Sequence, residues 1–222
     1  MTITTIVFAH GDVLKTVLRH LPIWNAFSDK LILVSPNNCP CIIEGLDCFT
    51  YSGRQHFGRM SLERQLFAFK VAMFYNSSHY VFLEYDAVLL QKPKPRKVVQ
   101  GNLFNSQVLL NKDTRSMSEN ECFIHFPWIF PRDKLKKFVD EVSIEPTEAM
   151  AQDVWLAKKL MELDFEVFNL LGLEGYSKNT IHPKHISELT NCIRLGAYAI
   201  HGIKSKETLK ATMVALASKD IY

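Results

Sequence analysis

The run YVFLEYDAVLL, residues 80 to 90, sets two carboxylates, Glu84 and Asp86, inside an otherwise apolar and aromatic stretch. An ionised carboxylate buried without a partner is costly, so such groups pair, bind a cation or stay protonated. Side chains at i and i+2 of an extended chain point to the same side, so both acids are expected on one strand face. Oxygen donors gathered this way suit a hard divalent cation. Arg64 or Lys70, on the preceding amphipathic segment, could equally neutralise the pair.

Other residue types that do chemistry stand at element ends. Asp153 falls at the start of a helix-like run, AQDVWLAKKL, where a carboxylate either complements the helix dipole or faces a cleft as a proton acceptor. The stretch FAHGD puts Ala9, His10 and Asp12 just after a first β-branched run; Asp12 could cap the next helix, and His10 could be an ordinary turn residue. The aromatic run CFIHFPWIFP, with His125 and Trp128, reads either as the lining of a pocket or as a core strand.

These residues need a scaffold that delivers them to one edge. TITTIVF and KLILVSP read as buried parallel strands, and Val13, Val17, Leu18 and Leu21 between them recur at helical spacing. CFTY is a short strand. SLERQLFAFKVAMFYNS is a helix with Ser61 as N-cap and Leu62, Leu66, Phe69 and Met73 on its stripe, and the acidic strand follows. This alternation predicts a doubly wound sheet. Beyond the proline-rich loop at 92–96, one or two strands over 98–111, helices in 130–142 and 146–164, strands at 165–171 and near 192–203, and a last helix over 204–219 are expected. No linker divides the chain, so one domain is expected, residues 1–100 forming a nucleotide-binding half and 101–222 an acceptor half.

Composition excludes several classes. With 222 residues, 47% hydrophobic and 22% charged, disorder is not expected. A net charge of +3 with scattered Lys and Arg does not describe a nucleic-acid surface. No apolar run approaches the roughly 20 residues that span a bilayer. Five cysteines and no signal peptide point to reduced thiols and a cytoplasmic site. Cys39, Cys41 and Cys48 do not make a zinc knuckle, because Cys-Pro-Cys lacks the two-residue spacer and no second ligand pair follows. A glycine-rich dinucleotide loop is absent, which counts against NAD and ATP enzymes.

Taken together, HYVFLEYDAVLL, AQDVWLAKKL and YAIHGIKS resemble, in order and spacing, three segments of nucleotide-sugar glycosyltransferases of GT-A type: the strand carrying Asp-x-Asp, a Glu-Asp-Val-Trp helix start, and a late His-Gly segment followed by Lys. Glu84 departs from the more usual Asp. The resemblance implies a Rossmann-like mixed sheet and transfer of a sugar from a UDP-sugar to a glycan or glycoprotein hydroxyl, with inversion. It implies Asp86 and His201 as ligands of Mn²⁺ or Mg²⁺, an imidazole favouring Mn²⁺. Ala9, His10, Asp12, Arg64, Glu84, Tyr85 and Lys204 would hold the nucleotide, Asp153 would be the base, and Trp128 and Trp155 would meet the acceptor. Small virus-encoded or bacterial enzymes are the most similar of the family, so a viral member would act in the host cytoplasm. A sugar nucleotidyltransferase and a non-catalytic glycan-binding module remain as alternatives.

Overall fold

The computed structural model describes residues 1–52, 59–92, 94, 96–105, 122–144, 151–170, 172–173, 190, 199–200, 202–203 and 206–217. Its strands, in chain order, are β1 (Ile3–Phe8), β2 (Lys30–Pro36), β3 (Asp47–Tyr51), β4 (His79–Glu84), β5 (Val88–Leu89), β6 (Val99–Asn105), β7 (Cys122–Pro131), β8 (Val167–Asn169), β9 (Gly172–Leu173) and β10 (Ala199–Ile200). Seven of them form one mixed sheet in the order β3-β2-β1-β4-β7-β6-β8, and the other three form a small second sheet in the order β5-β10-β9.

The first four strands are parallel, while β7 runs antiparallel to both β4 and β6. All six residues of β1 are buried, as a β-branched run central to a parallel sheet must be. Alternation along the strands then builds two cores. Ile6, Phe8, Phe82, Trp128 and Phe130 face helices α2 (Arg59–Ala72), α3 (Arg132–Glu141) and α4 (Gln152–Glu162) through Phe69, Phe138 and Trp155. Ile3, Val7, Val81 and Leu83 face the other way, toward Val17 and Trp24 of α1 (Leu14–Phe27), and share that core with Leu89 and Ala199 of the small sheet. Helix α5 (Lys206–Ala217) buries Leu209 and Thr212.

Two sequence expectations change and one open alternative is settled. Helix α2 starts at Arg59, so Ser61 lies inside its first turn and is not the N-cap. Leu18 is 48% exposed, because α1 turns Val17, His20 and Trp24 inward instead. The aromatic run 122–131 is strand β7, whose even-numbered residues from Ile124 to Phe130 belong to the first core.

Candidate functional site

The strand order turns between β1 and β4: β1 leads outward to β2 on one side and pairs with β4 on the other. Ligands of open α/β sheets bind at the carboxyl edge of such a switch point. Three groups of side chains meet there.

The first surrounds the end of β1. Ala9 is 4% exposed, and its N–H donates to the Val34 carbonyl at 3.0 Å. His10 follows in extended conformation, with its ring edge-on to Tyr85 at 5.5 Å and its Nδ1 3.5 Å from Asp12 Oδ2. Asp12 lies inside the short turn Gly11–Val13, the N-cap of α1 is Val13, and the Asp12 side chain is 81% exposed. The capping alternative is therefore not realised.

The second lies where α2 and α4 approach the end of β4. Glu84 is the last residue of that strand, paired with Phe8. Gln152 Nε2 donates to Glu84 Oε1 at 3.1 Å, while Arg64 donates to Gln152 Oε1 at 2.6 Å and stands 3.7 Å from the same Glu84 oxygen. The Arg64 guanidinium lies over the Phe8 ring at 4.9 Å, which places a largely buried cation against an apolar floor. Lys70 is exposed toward the other end of α2.

Beyond Glu84 the strand stops and the chain turns: Ala87 N–H bonds back to the Glu84 carbonyl at 3.0 Å, and the Trp24 indole bonds the Ala87 carbonyl at 2.9 Å. Asp86 sits in this turn at 2% exposure. The expected sharing of one strand face by Glu84 and Asp86 is thus corrected, since the i, i+2 rule ends with the strand. Glu84 faces α2 and α4, whereas Asp86 is within electrostatic reach of His20 on α1. Burial lowers the His20 pKa, and the Thr16 carbonyl and Asp86 oppose that shift.

The late segment of the chain reaches the same turn. Ile200 pairs with Val88, Ala199 with Leu89, and Ile203 N–H donates to the Asp86 carbonyl at 2.8 Å. Gly202, at φ +88, takes the left-handed backbone conformation that only glycine adopts cheaply. His201 and Lys204 themselves lie outside the described residues.

The third group spans β7 and α4. His125 Nε2 and Asp153 Oδ2 are 2.9 Å apart, both side chains a little under a quarter exposed. Asp153 occupies the first turn of α4, and its sequence neighbour Gln152 belongs to the Arg64 and Glu84 group, so the two groups adjoin. Trp128 and Trp155 are both 0% exposed and have no face to offer an acceptor; Trp128 instead donates its indole N–H to the Ile124 carbonyl at 2.9 Å. Both belong to the core and not to an acceptor pocket. Gln152 is not legible as part of this group in the sequence, because a neutral amide carries no charge signal, its one cue being adjacency to Asp153.

A groove of about 710 Å³ lined by His79, Arg96, Arg132, Lys134 and Lys136 lies at the amino end of β4, away from these three groups. No helix among the described residues is long and apolar enough to cross a membrane.

No protein-family model matches the chain, and no curated protein matches it in sequence. Among solved structures, an active-site mutant of LgtC is similar at a TM-score of 0.50 and 9% identity, covering 97% of this chain and 95% of that one. A glycosyltransferase involved in glycosylation of the major capsid of PBCV-1 aligns over 100% of both chains at 10% identity and a TM-score of 0.47. A 2-C-methyl-D-erythritol 4-phosphate cytidylyltransferase from Thermus thermophilus aligns over 87% of this chain and 100% of its own at 12% identity and a TM-score of 0.47. The fold is the GT-A type, a Rossmann-like mixed sheet flanked by helices.

Proposed function

We propose that the chain is a metal-dependent glycosyltransferase that moves a sugar from a nucleoside diphosphate, in the first instance UDP, to a glycan hydroxyl with inversion. One observation carries this reading. The segment 199–203, more than a hundred residues from the acidic turn, is hydrogen-bonded onto it through Ile200 and Ile203, which flank His201. A buried carboxylate is stabilised by a cation or by donors. In this reading a divalent cation of Mn²⁺ type sits at the turn, where Asp86 would supply a carboxylate and His201 an imidazole. Bound there, the cation would stabilise the charge that grows on the leaving diphosphate.

The chain's own groups carry the rest. His10 and Asp12 hold the nucleoside at the β1 edge, with Ala9 beneath and Tyr85 beside it. Arg64, fixed by Gln152 and by the Phe8 ring, keeps Glu84 oriented toward the ribose, and Lys204 meets the diphosphate as a point charge. His125 donates to Asp153 Oδ2, leaving Oδ1 to take the acceptor proton. The acceptor oxygen then forms its bond to the anomeric carbon as the bond to the diphosphate oxygen breaks, and the proton passes to Asp153.

The test is a screen of UDP-, GDP- and dTDP-sugars for hydrolysis with and without Mn²⁺, since slow transfer to water reports the donor before the acceptor is known. Mn²⁺-stimulated release of a nucleoside diphosphate is the expected result. Pyrophosphate release from a nucleoside triphosphate and a sugar phosphate would instead mark a nucleotidyltransferase. Binding of a sugar without turnover of any donor would mark a glycan-binding module.

A further inference from the structure

The sequence presents Cys39, Cys41 and Cys48 as a group, yet the fold separates their roles. Cys41 is fully buried, its thiol pushed up to about 11, first by burial and then by Cys48 and Cys39. Cys48 donates its thiol to the carbonyls of Leu46, at 3.5 Å, and Ile43. Cys39 remains, partly exposed, and the β2–β3 loop carries it to the end of β1. There its Sγ, an imidazole nitrogen of His10 and a carboxylate oxygen of Asp12 all lie within 4.8 Å of one another.

The backbone holds this convergence in place. Gly11 N–H donates to the Cys39 carbonyl at 2.9 Å, Cys39 N–H to the Pro36 carbonyl at 3.1 Å, and Val13 N–H to the His10 carbonyl at 3.1 Å. A Cβ on Gly11 would stand 3.0 Å from the Pro40 oxygen and 3.2 Å from Cys39 Sγ, so the missing side chain is what lets the thiol approach. His10 Nδ1 and Asp12 Oδ2 are 3.5 Å apart. Bonds of about 2.1 Å to a tetrahedral zinc ion put two ligand atoms about 3.4 Å apart.

We infer that His10, Asp12 and Cys39 form a three-ligand site for a thiophilic divalent cation of the zinc class, with the fourth position open to solvent. One thiolate, one imidazole and one carboxylate are a zinc donor set, whereas Mn²⁺ and Mg²⁺ avoid thiolate. The site is therefore chemically distinct from the cation site at Asp86, and it stands whether or not the chain transfers sugar. If it does, zinc and the nucleoside share His10 and Asp12, and binding of one excludes the other.

Cobalt(II) titration of the full reduced chain, without nucleotide, tests the site, because a cobalt–thiolate bond gives a near-ultraviolet charge-transfer band. One equivalent should develop the band, and zinc should displace it. Cys39→Ser should abolish the band, while Cys41→Ser and Cys48→Ser should keep it. Asp12→Asn changes an exposed side chain and leaves the fold intact, so it decides the matter even if Cys39→Ser fails to fold; zinc affinity should drop about tenfold or more. No band in the wild-type chain, a band that survives in folded Cys39→Ser, or unchanged zinc affinity in Asp12→Asn would overturn the inference.

Discussion

Asp153 and Trp155 are two residues apart and do opposite things. Two steps along a helix turn the side chain through about 200°, so when Asp153 meets His125 at 2.9 Å, Trp155 points into the core. The sequence motif shows both residues side by side but not that rotation, so it offers both to one site although only Asp153 stands beside His125 while Trp155 is buried. Replacing Asp153 by Asn keeps the shape and removes the proposed proton acceptor. Turnover should fall by about 10² to 10⁴ with donor affinity unchanged, measured by steady-state kinetics beside calorimetry, and the wild-type product should have the anomeric configuration opposite to the donor's. Parallel loss of donor affinity would move Asp153 to donor binding, and a retained configuration would remove the base. Trp155→Ala should cost about 3–5 kcal/mol in denaturant unfolding, as a buried aromatic does. A variant of unchanged stability with weakened acceptor binding would restore the acceptor role.

At the scale of elements, the long parallel strands β1, β2 and β4 and helix α1 could be read from β-branched runs and helical spacing, because each signal is local. The two-residue strands β5, β9 and β10 could not, since their pairing joins residues far apart in sequence. The end of β4 was equally hidden. Nothing in YVFLEYDAVLL says that Trp24 of α1 will hold the Ala87 carbonyl and so fix the turn that parts Asp86 from Glu84. The β6–β7 pair shows a similar constraint near a register shift between Gln100 and Asn102. A Cβ on Gly101 there would land on the Ile124 side chain, itself fully buried. Gly101→Ala should therefore destabilise the chain by about 1–3 kcal/mol, and Ile124→Val in the same chain should restore part of the loss in thermal unfolding. An unchanged melting temperature in Gly101→Ala would mean that the strand pair yields freely.

Across the whole molecule, the parallel half is tied at its outer edge by Asp47, which accepts bonds from Lys30 at 2.8 Å and from the Tyr75 hydroxyl at 2.6 Å. Lys30 first and Tyr75 second hold the Asp47 carboxyl below its ordinary range. The folded pKa lies below the unfolded one, so the stabilisation is complete above the unfolded value and disappears as pH falls through the folded value. Wild type should melt above Asp47→Asn at neutral pH, and the gap should close in acid; screening at this half-exposed position keeps it small. A gap that widens on acidification would reverse the assignment.

If Asp86 and His201 hold one cation, calorimetry of UDP binding with and without Mn²⁺, on wild type and on Asp86→Asn, reads it most directly. Wild type should bind UDP more tightly with Mn²⁺, and a folded Asp86→Asn chain should lose that dependence, its affinity with Mn²⁺ falling by about tenfold or more. Unchanged Mn²⁺-dependent affinity in the folded variant would contradict the account.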